Sequence, residues 1–285
     1  MKLIGAEKIT NTVGDLCVQA NIALRKDVLS QLKRAYAGEK AKRAKDNLAA
    51  IIENADIAQK EGLAICQDTG MPCVFLEIGQ EVRIGGDLQK AIHNGIALGY
   101  ARGYFRNSII KNPLKRGTPG YLPPVVHTEI VKGNKMKITV LPKGFGCENK
   151  SGLKMFKPTA KIDEIKKFII ETVKSAGPDA CPPFVVGVGI GGTADYVCLL
   201  AKKALLRKLK TKNSKLKNTS KNSKLIALEK ELLSLINKLN IGPMGLGGET
   251  TALAVNIETY PTHIAGLPVC VNISCHALRS ASCIL

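Results

Sequence analysis

The sequence predicts a mixed α/β fold: mixed β-sheets covered by helices, with a helical N-terminal layer. Residues 6–60 repeat apolar positions at helical spacing and contain no proline. Further along, alternating segments and short apolar runs read as strands, separated by amphipathic helical stretches. These elements interleave without the regular cadence of a doubly wound parallel sheet.

Within the N-terminal layer, Leu29, Leu32 and Ala35 form one helical stripe, and Leu48, Ile51 and Ile52 another. The same pattern continues through residues 54–64 and delivers the chain to Cys66. Residues 73–84, CVFLEIGQEVRI, alternate apolar and polar, which predicts strands turning at Gly79. Residues 87–104 return to helix. The prolines and glycines of NPLKRGTPGYLPP, 112–124, predict a loop. VVHTEIV, 125–131, and residues 135–141 then predict a pair of strands joined at Lys132-Gly133-Asn134. An amphipathic helix is expected at 162–176, a buried strand at 184–190, and helices in TADYVCLLAKKALLRK and at 225–239. Residues 252–259 and 269–273 complete the strands. No internal repeat is visible, and residues 1–285 read as one domain.

Hydrophobic residues at 45% and charged residues at 23% are ordinary for a globular protein long enough to bury a core. With 4% aromatic residues and no Trp, aliphatic, Ala and Gly packing must dominate. No apolar run is long enough to span a bilayer, and the first residues lack a signal-peptide core, so the expectation is cytoplasmic, with no membrane partner. The net charge of +19 owes much to residues 208–224, KLKTKNSKLKNTSKNSK, with seven lysines and no acid. Its polar filling predicts a solvated, flexible insertion. It lacks the aromatics and arginines of a nucleic-acid surface, so no nucleic-acid partner is expected. The remaining positive excess would draw in anionic substrates.

Nine cysteines, an odd number with no export signal, imply reduced thiols. Cys17, Cys198 and Cys270 lie in helical or strand-like apolar surroundings and read as core residues. Cys66 in AICQDTGMP, Cys181 in GPDACPPFVVGVGIGG and Cys275 in PVCVNISCHALRSA differ. Each stands beside turn-forming and polar residues, where a bending chain exposes groups to a ligand. Three widely spaced thiolates suit three irons of a [4Fe-4S] cluster, leaving the fourth iron open as a Lewis acid. The glycine-rich Gly187–Thr193 follows a strand and precedes a helix, yet matches neither a dinucleotide fingerprint nor a Walker loop. It reads as a backbone nest facing an anion or a cluster, or as a tight turn, and so does 242–251.

The ordered blocks CQDTG (66–70), KGFGCENKSGLKMF (143–156), ACPPFVVGVGIGGT (180–193), LLAKKALLR (199–207), IGPMGLGGETTAL (241–253) and PTHIAGLPVCVNISCHA (261–277) span nearly the whole chain. Together they resemble the iron–sulfur (class I) fumarate hydratases, in the split form where this chain would be the α subunit. The same superfamily includes L(+)-tartrate dehydratase. The resemblance implies a hydro-lyase whose [4Fe-4S] ligands fall on Cys66, Cys181 and Cys275, with Cys73 and Cys147 as the rivals. It also implies substrate contacts from Gln67, Arg106, Gly146 and His263, and acid/base roles for Asp68 and His263. Phe145 and Cys147 depart from the family's usual glycine and serine, which bears on substrate identity. The resemblance further implies a β subunit that completes the active site around a small dicarboxylate, in an α2β2 assembly. Two alternatives stand beside fumarate hydration. One is the tartrate dehydratase α subunit, converting tartrate to oxaloacetate. The other is an iron–sulfur redox or sensor protein, which would have no use for Gln67, Asp68 and His263.

Overall fold

The computed structural model describes residues 1–209 and 223–285; residues 210–222, most of the expected lysine-rich insertion, lie outside the described residues. In chain order the elements begin with β1 (Lys2–Gly5), α1 (Ala6–Ile22), α2 (Lys26–Gly38), α3 (Lys42–Glu61), β2 (Met71–Gly79), β3 (Val82–Gly85) and α4 (Leu88–Arg102). Next come β4 (Val125–Val131), β5 (Met136–Lys143), the single turn α5 (Phe145–Glu148), β6 (Gly152–Phe156) and α6 (Ile162–Ala176). The chain ends with β7 (Phe184–Gly192), α7 (Ala194–Leu206), α8 (Ser223–Asn237), β8 (Ala252–Thr262), β9 (Leu267–Ser274) and β10 (Ala281–Ile284). The predicted α/β class and helical N-terminal layer are both present. The chain divides into two compact units: residues 1–25, 54–145 and 279–285 form the first, and 26–53 and 146–278 the second.

The first unit is built on a four-stranded sheet of order β10-β5-β2-β4. Alternation along β2 sends Val74, Leu76 and Ile78 to one face, where they pack with Ile138 and Val140 against Ile9, Val13, Ile92 and Ile96 of α1 and α4. Those two helices nearly touch: a Cβ on Gly95 would lie 2.5 Å from the Thr10 carbonyl oxygen. Cross-strand pairs line the other face, with Phe75 stacked on His127 (5.1 Å) and Glu77 paired with Lys137 (2.6 Å).

The expected strands at 125–131 and 135–141 form, but not as a pair. Strand β2 lies between them, parallel to β4 and antiparallel to β5. Their short connection crosses the end of β2 instead of closing a hairpin. There the Gly79 N–H donates to the Lys135 carbonyl (2.9 Å) and the Glu81 N–H to that of Gly133 (3.0 Å). A side chain at Gly79 would collide with the Gly133 carbonyl, so glycine is required by the crossing. Nor does Gly79 turn a hairpin from β2 into β3, which pairs in parallel with β1.

The second unit repeats this plan with the order β6-β9-β7-β8. Strand β7 again lies between a parallel neighbour, β8, and an antiparallel one, β9, which a short connection joins. The sequence FVVGVGIGG explains its layering. Val186 and Val188 face the core shared with Ile165 and Ile169 of α6 and Leu232 and Ile236 of α8. On the opposite face, side chains at Gly187 and Gly189 would strike the backbone carbonyls of Ala201 and Val197, so α7 rests directly on the strand. These two glycines therefore serve helix–sheet packing. The second glycine-rich segment is also accounted for internally. The Thr251 hydroxyl accepts from Ile241 N–H and Gly242 N–H, and Asn240 Oδ1 accepts from Gly248 N–H. No helix among the described residues is long and apolar enough to cross a membrane.

Candidate active site

In the first unit, the residues preceding β2 and β10 and following β5 meet at one end of the sheet. The CQDTG loop lies there. Cys66 is partly exposed, and its thiol donates to Gln67 Oε1 (3.3 Å). Both oxygens of Asp68 are held by main-chain donors: Oδ1 accepts from Gly70 N–H (3.0 Å) and Oδ2 from Phe145 N–H (2.8 Å). The Gly70 contact is an Asx turn, and the arrangement leaves each oxygen a second lone pair for a proton. Gly144 keeps that carboxylate in place, since a Cβ there would come within 3.2 Å of Oδ2.

Thr69 draws Arg106 to the same loop. Its buried hydroxyl accepts from Arg106 N–H (3.1 Å) and lies 3.4 Å from the Arg106 carbonyl. Arg106 itself is exposed, with its guanidinium free to meet a carboxylate. Beneath the loop, the Tyr100 hydroxyl reaches the Thr69 and Gly70 carbonyls at 2.9 and 3.1 Å. Burial pushes the ionisation of that phenol far above its ordinary value.

In the second unit, Cys181 precedes β7 and Cys275 follows β9, placing both at the same end of that sheet. Cys181 adopts a left-handed backbone conformation (φ 52°, ψ 67°), uncommon for a residue with a side chain. His276 secures it: the backbone N–H (3.3 Å) and ring Nδ1 (3.0 Å) both approach the Cys181 carbonyl. A carbonyl has no proton to give, so the Nδ1 contact makes that nitrogen the donor. The neighbouring Cys147 is buried, with its thiol donating to the Ala180 carbonyl (3.3 Å). Glu148 anchors the same turn to α7 through Lys202 (2.5 Å) and to β9 through Asn272 (2.9 Å). Gly146 has room for a Cβ within its own unit, the nearest atom being the Asp179 carbonyl oxygen at 3.8 Å. Any need for glycine there would come from a ligand.

His263 lies at the other end of that sheet, in the connection from β8 to β9. Its Nδ1 accepts from Ala265 N–H (3.2 Å). Strand β9 runs its full eight residues between His263 and Cys275, a separation of roughly 25 Å at extended spacing. Within this unit, His263 and the two cysteines are not brought together.

All nine cysteines are free of disulfides. Burial raises the Cys17 thiol to about 12, and burial, reinforced by Cys198, pushes Cys270 up as well. Cys17 and Cys270 are therefore the inert core thiols that their sequence surroundings suggested, whereas Cys198, read the same way, is partly exposed. Among the described residues, no three His, Cys, Asp or Glu side chains gather closely enough to hold a single metal ion. An iron–sulfur cluster spreads its thiolates more widely than one ion's shell, and needs reachable thiols that are not tied up in disulfides. Cys66, Cys181 and Cys275 meet that chemical requirement, being without disulfides, partly exposed and set just outside strands. The sequence reading overlooked Thr69, although it stands inside CQDTG. It also overlooked Arg279, a buried arginine whose Nη2 donates to the Asp68 carbonyl (2.7 Å).

Residues 10–284 match the family model described as Fumarate hydratase (Fumerase). The chain belongs to that family. Like its relatives in the fumarate hydratase family, it is a hydro-lyase. It is similar to a Methanocaldococcus jannaschii protein provisionally named L(+)-tartrate dehydratase subunit alpha, 42% identical over 283 residues that cover 96% of each chain. It is also similar to the L(+)-tartrate dehydratase subunit alpha of Escherichia coli, 26% identical over 276 residues, covering 95% of this chain and 89% of that one. The fumarate hydratase match takes in every cysteine singled out above, together with Asp68, Arg106 and Arg279.

Proposed function

We propose that this chain is the α subunit of a [4Fe-4S] hydro-lyase that reversibly hydrates fumarate to L-malate. The observation carrying the proposal is the Cys66–Gly70 loop. It sets a reachable thiol, a carboxylate held by two backbone amides and, through Thr69, an exposed arginine side by side. Cys66, Cys181 and Cys275 are the proposed cluster ligands. When bound, such a cluster supplies an open iron as Lewis acid for the hydroxyl and a carboxylate oxygen.

The protein's own share is positioning and proton transfer. Arg106 grips a carboxylate of the dicarboxylate, and Gln67 hydrogen-bonds the substrate once its amide oxygen is released from the Cys66 thiol. Asp68 takes or returns the proton on carbon through the free lone pair of a carboxylate oxygen. Gly146 lets the substrate approach the backbone. His263, set apart from Cys181 and Cys275 within its unit, is given no step at the cluster. The relatives are named as alpha subunits, which supports a β-type partner that completes the site; the assembly proposed is α2β2.

The same relatives favour a second reading, dehydration of L(+)-tartrate to oxaloacetate. One anaerobic experiment decides between the two. The reconstituted chain, alone and with its β-type partner, is given fumarate and tartrate. Fumarate loss only in the pair supports the first reading, and oxaloacetate formation from tartrate alone replaces it with the second. Turnover of neither, with the cluster in place, would overturn both.

A further inference from the structure

We propose that Arg279 is a positioning residue for the Cys66–Gly70 loop, a role that rests on the reading of Cys66 and Asp68 above. Its side chain is 3% exposed, yet among the described residues no carboxylate pairs with it. Nη2 donates to the Asp68 carbonyl (2.7 Å) and Nη1 to Asn21 Oδ1 (3.2 Å), while the buried Nε has no hydrogen-bond partner among the described residues. Asn21, fully buried, is itself fixed. Its Nδ2 donates to the Cys17 carbonyl (3.1 Å), and its own carbonyl accepts from Ile65 N–H (3.0 Å).

The Arg279 and Tyr100 side chains hold Asp68, Thr69 and Gly70 by their carbonyls, and the Asn21 main-chain carbonyl holds Ile65 by its N–H. These contacts make no claim on the side chains of Cys66, Gln67 and Asp68. A neutral amide could satisfy one carbonyl; burying a guanidinium without a carboxylate is costly and leaves a donor idle. What the arginine adds is its rigid fork, which spans Asn21 on α1 and Asp68 and so sets the loop against the helix. The charge-assisted bond to Asp68 O is the stronger of the two, and it acts two residues from Cys66. Nothing in the sequence marks the residue except its place four positions after Cys275.

The test is made first on the full chain without cluster, by amide hydrogen exchange in Arg279→Gln, Arg279→Lys and Asn21→Ala. Peptides covering 65–70 are expected to exchange about tenfold faster in Arg279→Gln, and less so in Arg279→Lys, with peptides from α6 unchanged. Asn21→Ala removes one anchor of the fork and gives the same readout should Arg279→Gln not fold. Unchanged exchange at 65–70 in the folded variants would overturn the proposal.

The second arm uses Arg279→Lys in the reconstituted complex, with rates normalised to bound iron. We expect kcat to fall about tenfold with KM within about twofold, because a displaced acid/base group costs rate more than binding. An iron-normalised kcat equal to wild type would also overturn it, leaving Arg279 a purely structural tie. A wild-type complex that turns over neither substrate would sink the functional reading and leave the exchange result standing.

Discussion

The Thr69 hydroxyl engages both ends of one residue: it accepts from the Arg106 amide and faces the Arg106 carbonyl, across 37 positions of sequence. Arg106 is therefore tethered to the residue next to Asp68. Thr69→Val keeps the shape and removes both bonds. In the reconstituted complex it should raise KM by about tenfold while kcat changes little, because Arg106 is placed for binding. Thr69→Ser restores the hydroxyl and should recover most of the effect. A KM unchanged in Thr69→Val would show that Arg106 needs no such tether.

Asp68 accepts at both oxygens, and an amide can accept at only one. Asp68→Asn therefore loses the proton carrier and turns an N–H toward either the Gly70 or the Phe145 amide. Steady-state assays should show kcat lowered by roughly 10²–10⁴-fold, the usual scale for a general acid or base. Absorbance at equal protein should show the cluster retained.

His276 is expected to matter through Cys181 rather than through substrate. Replacing it with Ala removes the ring's hold on the carbonyl of a cysteine kept at positive φ. The left-handed conformation costs about 1–3 kcal/mol without support, so the turn should relax. Iron bound after reconstitution should fall severalfold in His276→Ala, measured as iron per chain. Full iron content would mean that the backbone N–H of residue 276 suffices.

The Cys17 thiol gives a pH dependence of definite sign. Its folded value of about 12 exceeds the unfolded value of 9.0, so the folded state favours the protonated thiol. That stability is complete below pH 9 and is lost as pH rises toward 12, by about 1.4 kcal/mol per unit from this group. Urea midpoints of wild type should drop across that window, and Cys17→Ala should show a shallower drop. Iodoacetamide at pH 8.5 should leave Cys17 and Cys270 unlabelled while modifying the partly exposed Cys66 and Cys275.

Helical spacing located α1 to α4 and α6 to α8 because a buried stripe is a local property of sequence. The strands were equally legible, but their partners were not. Alternation in VVHTEIV and in 135–141 shows that each has a buried face, and says nothing about which strand lies beside it. Gly79 carried the missing information, as a glycine required by an overhead crossing, and looks in sequence like any turn. The short edge strands β1, β6 and β10 carry too few buried positions to stand out. Surroundings separated Cys17 and Cys270 from Cys66, Cys181 and Cys275, but not Cys198, partly exposed on a helix, or Cys147, buried in a turn. Arg279 was not. A buried cation takes its meaning from carbonyls far away in the chain, and HALRSA shows none of them.

The crossings over β2 and β7 bear on how the chain reaches its native state. Strands β4 and β5, like β8 and β9, are joined by so few residues that zipping onto one another is their fastest encounter. The native sheet forbids that pairing, because an earlier strand must occupy the gap. Correct assembly waits on distant partners such as Cys73 with Val125 and Leu141, and loop closure over such separations is slow. Each unit thus carries its own decoy hairpin. Folding of each unit is thereby expected to be paced by pairing between distant strands and not by the closing of neighbouring ones.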